Sequence, residues 1–584
     1  MTERIATFTR LTNCLVLFLC CGLTEAETPS DVARVDKKPN VLFISIDDLN
    51  DWIGCMNGHP QARTPNLDRL AASGVLFSNA HCPAPACNPS RSAIMTGVAP
   101  NVSGIYDNRQ NMRELLPDEL IIPKYFSQQG YWSAGSGKIL HYFIDAASWD
   151  DYFPAKESEN PFPSTKYPDE RPVSLPRVGE WQYIETDWGP LSVTDEEFGG
   201  DYAVSEWIGG QLSRQHEQPF FLACGIYRPH EPWFVPKKYF DLFPLEEIQL
   251  PPGYAANDLD DLSDEGRRRA KNRYFAHIQE QDQWKLAIQG YLASIAFADA
   301  MVGRVLDALE KGPNRDNTIV VLWSDHGWHL GEKEHWQKFT PWRVCTRVPL
   351  MIRVPEGAPA LPGGTKAGTI CKQPVNLLSL FPTLLDLAGL PKKDSNDGPS
   401  LLPLLRDPNA QWRHLAVTHL DRPKNFALSA ARWRYIHYSN GEEELYDVES
   451  DPFEWNNLAG ASEQQDRIAK FRSQSPVSFA DYVPAKKKVL PKLKWMPSDG
   501  KDLPVSQPAG KSFEIYFRND SLQPVDIVRV DAKGNRYFYG TLERGWFKPY
   551  QTQANTLWLV TTKQGETLGY FLVGEQIADA TIPE

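Results

Sequence analysis

Three short runs of apolar residues, each followed at once by polar side chains, constrain the fold most. They are Val41–Ile46 in PNVLFISIDDL, Phe220–Ile226 in PFFLACGIYRPHEPW and Ile319–Trp323 in NTIVVLWSDHG. Runs of this length without polar alternation are typical of strands buried on both faces of a parallel sheet. Helical patterns separate them, as in TPNLDRLAASGVLF, LIIPKYFSQQGY and QGYLASIAFADAMVGRVLDALEK. We therefore predict an α/β fold, with the polar clusters gathered at the carboxyl ends of the strands.

The chain is too long, at 584 residues, for one hydrophobic core, and its pattern changes near Gln411. Short strand-like segments such as HLAVTHL and EELYDVES predict a small antiparallel subdomain over 411–480, packed on a main domain over 38–410. The segment 481–510 holds five prolines and six lysines without periodicity, which indicates an extended, solvated linker. Alternating apolar and polar residues between turns then predict an all-β module over 511–584.

The first residues, 1–26, have the pattern of a signal peptide. Arg4 and Arg10 precede an apolar run from Leu15 to Leu23, which small residues follow. The run is too short to cross a bilayer, so we predict no transmembrane segment and export to the periplasm or the extracellular space. A short core helix is the alternative interpretation.

The six cysteines outside the predicted signal peptide include no CxxC pair, so neither a structural zinc site nor a disulfide pairing is indicated.

Two of the three polar clusters offer metal ligands. Asp47 and Asp48 close the first strand, and adjacent carboxylates repel each other unless a cation lies between them. Asp325 and His326 close another strand at the same predicted edge. Three carboxylates favour a hard divalent cation, calcium or magnesium. Taken alone, the Asp47–Asp48 pair could equally be a helix cap beside a solvent-facing carboxylate.

Cationic side chains follow the same strands. In GSGKILHYF, Lys138 and His141 are three residues apart, which predicts that both point at one anion from a single helical turn. The glycines there lack the spacing of a phosphate loop, so no nucleotide site is indicated. His230 lies in the proline-rich turn YRPHEPW, and Lys338 follows the SDHG cluster. A locally bonded histidine and a solvated lysine are the ordinary alternatives.

The net charge of −13 argues against a nucleic-acid-binding protein, which usually carries a basic excess. The whole-protein field also repels anions. A negatively charged substrate would therefore have to be attracted by a local cationic pocket.

The segment PAPACNPSRSAIMTG, residues 83–97, places Cys87 just before a helix that we expect to open at Pro89. Backbone N–H groups and the helix dipole favour negative charge there, so Cys87 is a candidate nucleophile rather than only a small buried residue. With the metal and the cations, this suits in-line transfer of an anionic ester group. A thiolate beside three carboxylates is disfavoured, and a hard cation prefers oxygen to sulfur. The site needs oxygen where the sequence encodes cysteine.

The motif CNPSR resembles the C-x-P-S-R signature of type I sulfatases, in which the cysteine is oxidised after translation to formylglycine. The resemblance runs from about Pro39 to Leu458. It is greatest to the iduronate-2-sulfatase branch, through IDDLNDWIGC, GKILH, YRPHEPW, SDHGWHLGEKEHWQK and QPVNLLSLFPTLLDLAG. It implies the alkaline-phosphatase-like sulfatase fold, an α/β architecture with a large mixed, mostly parallel sheet. It also implies a formylglycine-generating enzyme in the host.

The resemblance also implies a role for each site residue. The metal ligands would be Asp47, Asp48, Asp325, His326 and an oxygen of the formylglycine made from Cys87. The implied metal is Ca²⁺ in preference to Mg²⁺, and Arg91 would hold the gem-diol formed by hydration of the aldehyde. The residues implied around the sulfate are Lys138, His141, His230 and Lys338, of which Lys138, His230 and Lys338 would bind substrate. One diol oxygen would attack sulfur, while the sugar oxygen leaves with a proton from His230 or Lys338.

The implied function is an exported sulfatase that acts on a sulfated carbohydrate, with a 2-O-sulfated uronic acid as the substrate that the iduronate-like motifs suggest. Two alternatives are a phosphodiesterase or phosphonate monoester hydrolase of the same superfamily and a non-catalytic polyanion-binding protein in which Cys87 stays a thiol.

In the terminal module, FRNDS and TLWLV resemble the β-domain of the von Hippel–Lindau protein, which implies a β-sandwich but no particular ligand.

Overall fold

The computed structural model describes residues 38–156, 160–168, 173–176, 185–485, 490–498 and 503–583 of the chain. The predicted signal peptide, 1–26, lies outside the described residues. Every described helix is either too short or too polar to cross a membrane. All six cysteines within these ranges are unpaired.

An eight-stranded sheet forms the centre of the main domain. In chain order its strands are β1 (Asn40–Ile46), β2 (Val75–Phe77), β3 (Trp132–Gly137), β4 (Asp151–Phe153), β5 (Phe220–Ile226), β6 (Thr318–Ser324), β7 (Leu350–Arg353) and β8 (Thr369–Cys371). Their spatial order is β8-β2-β7-β6-β1-β5-β3-β4. The strand β7 pairs antiparallel with both neighbours, whereas the other pairs are parallel. The predicted mixed, mostly parallel sheet is confirmed.

Helices cover both faces of this sheet. Six of the helices are α1 (Pro65–Ser73), α2 (Cys87–Thr96), α3 (Ile122–Gln128), α4 (Asp201–Leu212), α5 (Trp284–Lys311) and α6 (Leu380–Leu387). Leu42 and Ile44 of β1 belong to the core under α4 and α5, and Val41 and Phe43 to the core under α2 and α6. This alternation of β1 side chains between two cores explains why its sequence is apolar at every position.

Further helices and three short ladders accompany the central sheet. The remaining helices are Pro100–Ser103, Met112–Leu115, Asp195–Phe198, Lys237–Phe240, Asp264–Ala270, Arg273–Glu280, Arg343–Thr346, Leu402–Arg406 and Gln465–Gln474. Three two-stranded ladders pair Ala80–His81 with Val375–Asn376, Trp188–Leu191 with Trp233–Pro236, and His329–Leu330 with Trp336–Gln337. The last ladder directly precedes Lys338.

The C-terminal part of the chain forms sheets in which all but one of the strand pairs are antiparallel. One has four strands in chain order, β9 (Ala416–His419), β10 (Phe426–Ser429), β11 (Trp433–His437) and β12 (Glu443–Asp447). The strands further on are β13 (Met496–Pro497), β14 (Ala509–Asn519), β15 (Val525–Val530), β16 (Arg536–Leu542), β17 (Phe547–Ala554), β18 (Leu557–Thr561), β19 (Thr567–Leu572) and β20 (Ala578–Ile582). They form a five-stranded sheet, β13-β19-β18-β15-β16, and a three-stranded sheet, β17-β14-β20. The segment 481–510, expected to be a linker, therefore contributes β13 to a sheet.

Candidate active site

The polar clusters that follow β1, β5 and β6 meet at one edge of the central sheet. Ile46 of β1 pairs with Ser324 of β6 on one side and with Ile226 of β5 on the other. The next residues along each strand therefore lie side by side. This register brings Asp47 and Asp48 to the clusters that contain Asp325 and His230, as the sequence predicted.

The helix α2 aims its first residue at this edge. It begins at Cys87, two residues before the predicted start at Pro89, and all ten of its residues are buried. The hydroxyl of Ser90 donates a hydrogen bond of 2.7 Å to the carbonyl oxygen of Asp325. A buried helix that is tied in this way to the end of β6 holds the Cys87 side chain in a fixed position.

Arg91 connects three of the strand ends. Its Nη2 donates to Asp47 Oδ1 at 3.0 Å, and its Nε donates to Asp325 Oδ2 at 2.8 Å. Its Nη1 donates to the carbonyl oxygen of Lys138 at 2.6 Å. The side chain is fully buried, and such a guanidinium needs all of these acceptors. Arg91 therefore orients two carboxylates rather than facing open space.

Three cationic groups surround the sulfur of Cys87. Lys338 Nζ lies 3.1 Å from Cys87 Sγ, His326 Nε2 lies 3.3 Å from it, and Lys138 Nζ lies 3.6 Å from it. Burial by itself raises the pKa of the Cys87 thiol, but Lys138 and Lys338 outweigh burial and hold it well below its usual value. The surroundings of position 87 therefore stabilise a negatively charged atom.

The two lysines also pair with the carboxylates. Lys338 Nζ donates to Asp48 Oδ1 at 2.8 Å, and Lys138 Nζ donates to Asp47 Oδ2. Burial raises the pKa of Asp47, but Lys138 and then Arg91 lower it more, so the carboxyl stays ionised. Each of the two aspartates thus has a lysine as an ion-pair partner inside the protein.

The acidic residues and His326 fit a hard divalent cation. The candidate ligand atoms of Asp47, Cys87, Asp325 and His326 lie within 4.8 Å of one another. Asp48 Oδ2 is buried and has no hydrogen-bond partner among the described residues, as expected for an atom that a cation would hold. Burial raises the pKa of Asp325 to about 7. Burial lowers the pKa of His326, but the negative charges of Asp325, Cys87 and Asp48 together raise it to about 9.

The two other predicted histidines also reach this site. His230 Nδ1 lies 2.6 Å from the carbonyl oxygen of Glu231, so it acts as the donor and Nε2 faces Asp48 Oδ2 at 3.7 Å. Burial lowers the pKa of His141, which interacts with Cys87. The expected helical turn over Lys138 and His141 is wrong, because this segment forms bends after β3. The segment does not start a helix at Lys138, because the preceding residue, Gly137, has a left-handed backbone conformation with a φ of +76°.

The sequence argument missed two buried carboxyl groups that support the site. Glu231 accepts hydrogen bonds from Thr186 Oγ1 at 2.9 Å and Trp336 Nε1 at 3.1 Å. Asp201, at the start of α4, accepts from the backbone nitrogens of Tyr227 and Arg228 at 2.7 and 2.9 Å. Glu231 stands within the quoted motif YRPHEPW, whereas no local signal connects Asp201 to it.

Comparison with known proteins identifies the family. The family model described as Sulfatase matches residues 39–390, and that of N-sulphoglucosamine sulphohydrolase, C-terminal, matches residues 331–476. The chain belongs to the sulfatase family. A sulfatase of Formosa agariphila is 39% identical over 80% of this chain and 92% of its own. The iduronate 2-sulfatase of Mus musculus is 34% identical over 65% of this sulfatase and 74% of its own chain.

Solved structures share the fold. One, in complex with its substrate D-glucosamine-2-N,6-O-disulfate, has a TM-score of 0.58 at 23% identity, over 75% of this chain and 97% of its own. The phosphonate monoester hydrolase of Silicibacter pomeroyi has a TM-score of 0.60 at 22% identity, over 75% and 94% of the two chains. The predicted alkaline-phosphatase-like sulfatase fold is confirmed, and this protein is a sulfuric ester hydrolase. The resemblance of the terminal module to the von Hippel–Lindau β-domain stays a prediction.

Proposed function

We propose that this sulfatase removes sulfate from a sulfated carbohydrate and uses a formylglycine made from Cys87. The observation that carries the proposal is the position of Cys87 Sγ, among Lys338 Nζ, His326 Nε2 and Lys138 Nζ. In the mature protein, an oxygen of formylglycine would stand where this sulfur is. Oxygen suits the neighbouring carboxylates and a hard cation better than sulfur does.

The cation of the proposal is Ca²⁺, held by Asp47, Asp48, Asp325 and His326. When bound, it supplies positive charge for a sulfate oxygen and for residue 87. Oxygen ligands are those that Ca²⁺ prefers. The buried Asp48 Oδ2, which has no hydrogen bond to any described residue, supports this assignment. His326 is less typical of Ca²⁺, so Mg²⁺ is the competing ion to test.

The cationic side chains bind the sulfate ester, and one of them donates a proton to the leaving group. Lys138 and Lys338 stabilise the negative charge that develops on the transferring group. Burial lowers the pKa of His230, but the carboxylates of Asp48 and Asp47 together raise it above its usual value. Because Nδ1 is occupied by the Glu231 carbonyl, the proton available to the departing sugar oxygen is the one on Nε2. We assign His230 as the general acid.

The substrate class is a 2-O-sulfated uronic acid or a similar sulfated sugar. The sequence similarity to the iduronate 2-sulfatase of Mus musculus supports this class. Export to the periplasm or the extracellular space, which the predicted signal peptide indicates, would bring the enzyme to polysaccharides. Conversion of Cys87 to formylglycine would also require a formylglycine-generating enzyme in the host.

Peptide mass spectrometry tests the modification. Cleavage after Arg69 and Arg91 gives one tryptic peptide that contains both Cys82 and Cys87. After thiol alkylation of protein from a host that matures sulfatases, we expect a label on Cys82 and an aldehyde at position 87. A label on both residues would contradict the formylglycine assignment.

Matched esters test the reaction. We expect 4-nitrophenyl sulfate to be hydrolysed with a higher kcat/KM than 4-nitrophenyl phosphate or an aryl phosphonate. The variant Cys87→Ala should lose this activity and serves as the control for contaminating hydrolases. A preference for the phosphorus esters would favour the phosphonate hydrolase alternative, and no hydrolysis by modified enzyme would favour a binding protein.

A further inference from the structure

A cavity of about 370 Å³ adjoins the candidate active site, and the reaction assigned above does not use it. This volume lies within the range of small-molecule sites, about 300–1,000 Å³. Its wall includes the aromatic side chains of Tyr142, Phe162, Tyr167, Phe198 and Tyr227. Polar groups come from Asn160, Ser164, Thr165, Glu185 and Asp201.

The cavity shares two walls with the sulfate position. Lys138 Nζ lies 4.8 Å from the ring centroid of Tyr142 and 5.4 Å from that of Tyr227. The hydroxyls of the two tyrosines are 3.4 Å apart, so their rings stand next to each other. A molecule whose sulfate group contacts Lys138 would therefore reach the cavity beside these rings.

The backbone at Tyr142 is in the left-handed region, with a φ of +55°. Residues other than glycine adopt this conformation at a cost, and such strain is concentrated at functional sites. The side chain is 41% exposed in spite of its size. Phe162 packs edge-on against Tyr142 at 5.3 Å and against Tyr227 at 5.0 Å. The bend thus presents an aromatic group to a ligand rather than to a core.

The chemistry of the wall matches a sugar ring. Aromatic faces pack on the apolar C–H faces of a pyranose, and hydroxyl, amide and carboxyl groups bond its hydroxyls. Arg228 is buried in the wall and packs against Phe198 and Tyr227, with its guanidinium carbon 5.6 and 5.2 Å from their ring centroids. The wall carries the two carboxyl groups of Glu185 and Asp201 against the one guanidinium of Arg228, and this charge balance disfavours a second sulfate group in the cavity.

We propose that this cavity is a carbohydrate subsite for an unsulfated sugar ring next to the ring that bears the scissile sulfate. The inference rests on the proposed function and deepens it. The enzyme then recognises at least a disaccharide, in which aromatic contact with the second ring adds affinity without touching the ester.

Kinetics of Phe162 variants test the subsite. Phe162 is a better position for substitution than Tyr142, because the ring of Tyr142 also packs against Lys138. The probes are a disaccharide of 2-O-sulfated uronate and unsulfated hexosamine, and 4-nitrophenyl sulfate as an ester without sugar. For Phe162→Leu, we expect kcat/KM on the disaccharide to fall about tenfold, mainly through KM, and to change less than twofold on the aryl ester. Phe162→Tyr, which keeps an aromatic face, should retain most of the disaccharide activity.

The control and a binding measurement keep the test independent of catalysis. Phe453→Leu makes the same change at a phenylalanine that is 39% exposed outside the cavity, and should leave both activities unchanged. In a Cys87→Ala background, calorimetry should show about tenfold weaker disaccharide binding for Phe162→Leu. Equal losses on both esters, or unchanged disaccharide binding, would overturn the subsite. If wild-type enzyme hydrolyses no sulfate ester, the proposed function fails, and the binding measurement still decides the subsite.

Discussion

Positive and negative groups are balanced around residue 87. Asp47, Asp48 and Asp325 carry three carboxyl groups, and the cationic partners that contact them are Arg91, Lys138 and Lys338. Adding a divalent cation to this set leaves a net positive charge for an anionic ester. That local charge is needed because the whole chain, with a net charge of −13, repels anions.

The role assigned to Lys338 gives the first prediction. The variant Lys338→Met removes the ammonium that is 3.1 Å from Cys87 Sγ and keeps the length of the side chain. Because charge stabilisation in a buried site is worth much more than in water, kcat/KM for 4-nitrophenyl sulfate should fall about 10²- to 10³-fold. The matched control is Lys237→Met, at a lysine whose side chain is 58% exposed. Activity of Lys338→Met within a factor of two of wild type would refute the assignment.

At the scale of elements, Glu231 connects the turn after β5 with the segment that carries Lys338. Its carboxyl group accepts from Trp336 Nε1, two residues before Lys338, and its own carbonyl oxygen holds His230. The side chain is fully buried. Through its backbone carbonyl and its carboxyl group, Glu231 thus links the proposed general acid to the segment that carries Lys338.

Burial raises the pKa of Glu231 to about 7, which gives the second prediction. Because the folded-state pKa lies above the ordinary value, the folded protein binds more protons than the unfolded chain between the two values. The stability that the protonated carboxyl contributes is therefore lost as the pH rises towards 7. We expect Glu231→Gln to reduce the difference in unfolding free energy between pH 5 and pH 8 by about 3 kcal/mol.

Urea unfolding at both pH values, followed by tryptophan fluorescence, measures this difference. Wild-type protein is the control, since other buried acids such as Glu332 also have raised pKa values and remain in both proteins. An identical pH dependence in wild type and Glu231→Gln would show that the carboxyl does not titrate in this window.

The elements also show which parts of the site a sequence can reveal. The strands that lead to Asp47, His230 and Asp325 were predictable because unbroken apolar runs have few other uses than buried strands. The bend that carries His141 was not, because Lys-Ile-Leu-His fits a helix and only the preceding left-handed glycine excludes one. The partners of Glu231 come from distant segments, at Thr186 and Trp336, so only the tertiary structure assigns it a role.

At the scale of the whole molecule, binding of the cation should be linked to folding. Three buried carboxylates and His326 gather in the folded chain only, so a cation that binds there stabilises the fold by mass action. In protein treated with a chelator, added Ca²⁺ at about 100 times its Kd should raise the free energy of unfolding by about 2.7 kcal/mol. Asp48→Asn should reduce this response, whereas Asp258→Asn, at a buried acid that pairs with Lys333, should retain it. Absence of a response to both Ca²⁺ and Mg²⁺ would contradict the metal site.

The terminal β-module has its own hydrophobic clusters, which gives the last prediction. Every described member of these clusters lies between Leu493 and Ile582. The chain just before them is tied to the main domain, because Tyr482 donates to Asp107 at 2.6 Å and Gln110 donates to the carbonyl oxygen of Val483 at 2.9 Å. A chain that ends at residue 485 keeps these bonds and loses only the module.

We expect the chain that ends at residue 485 to remain soluble and to hydrolyse 4-nitrophenyl sulfate with a kcat/KM within about twofold of the full chain, since domains with separate cores fold separately. A chain that ends at residue 478 is the matched control. It loses the bonds of Tyr482 and of the Val483 carbonyl, and its midpoint of urea unfolding should be lower. Insolubility or inactivity of the chain that ends at 485 would mean that the module is part of the catalytic fold rather than an appendage with a binding role of its own.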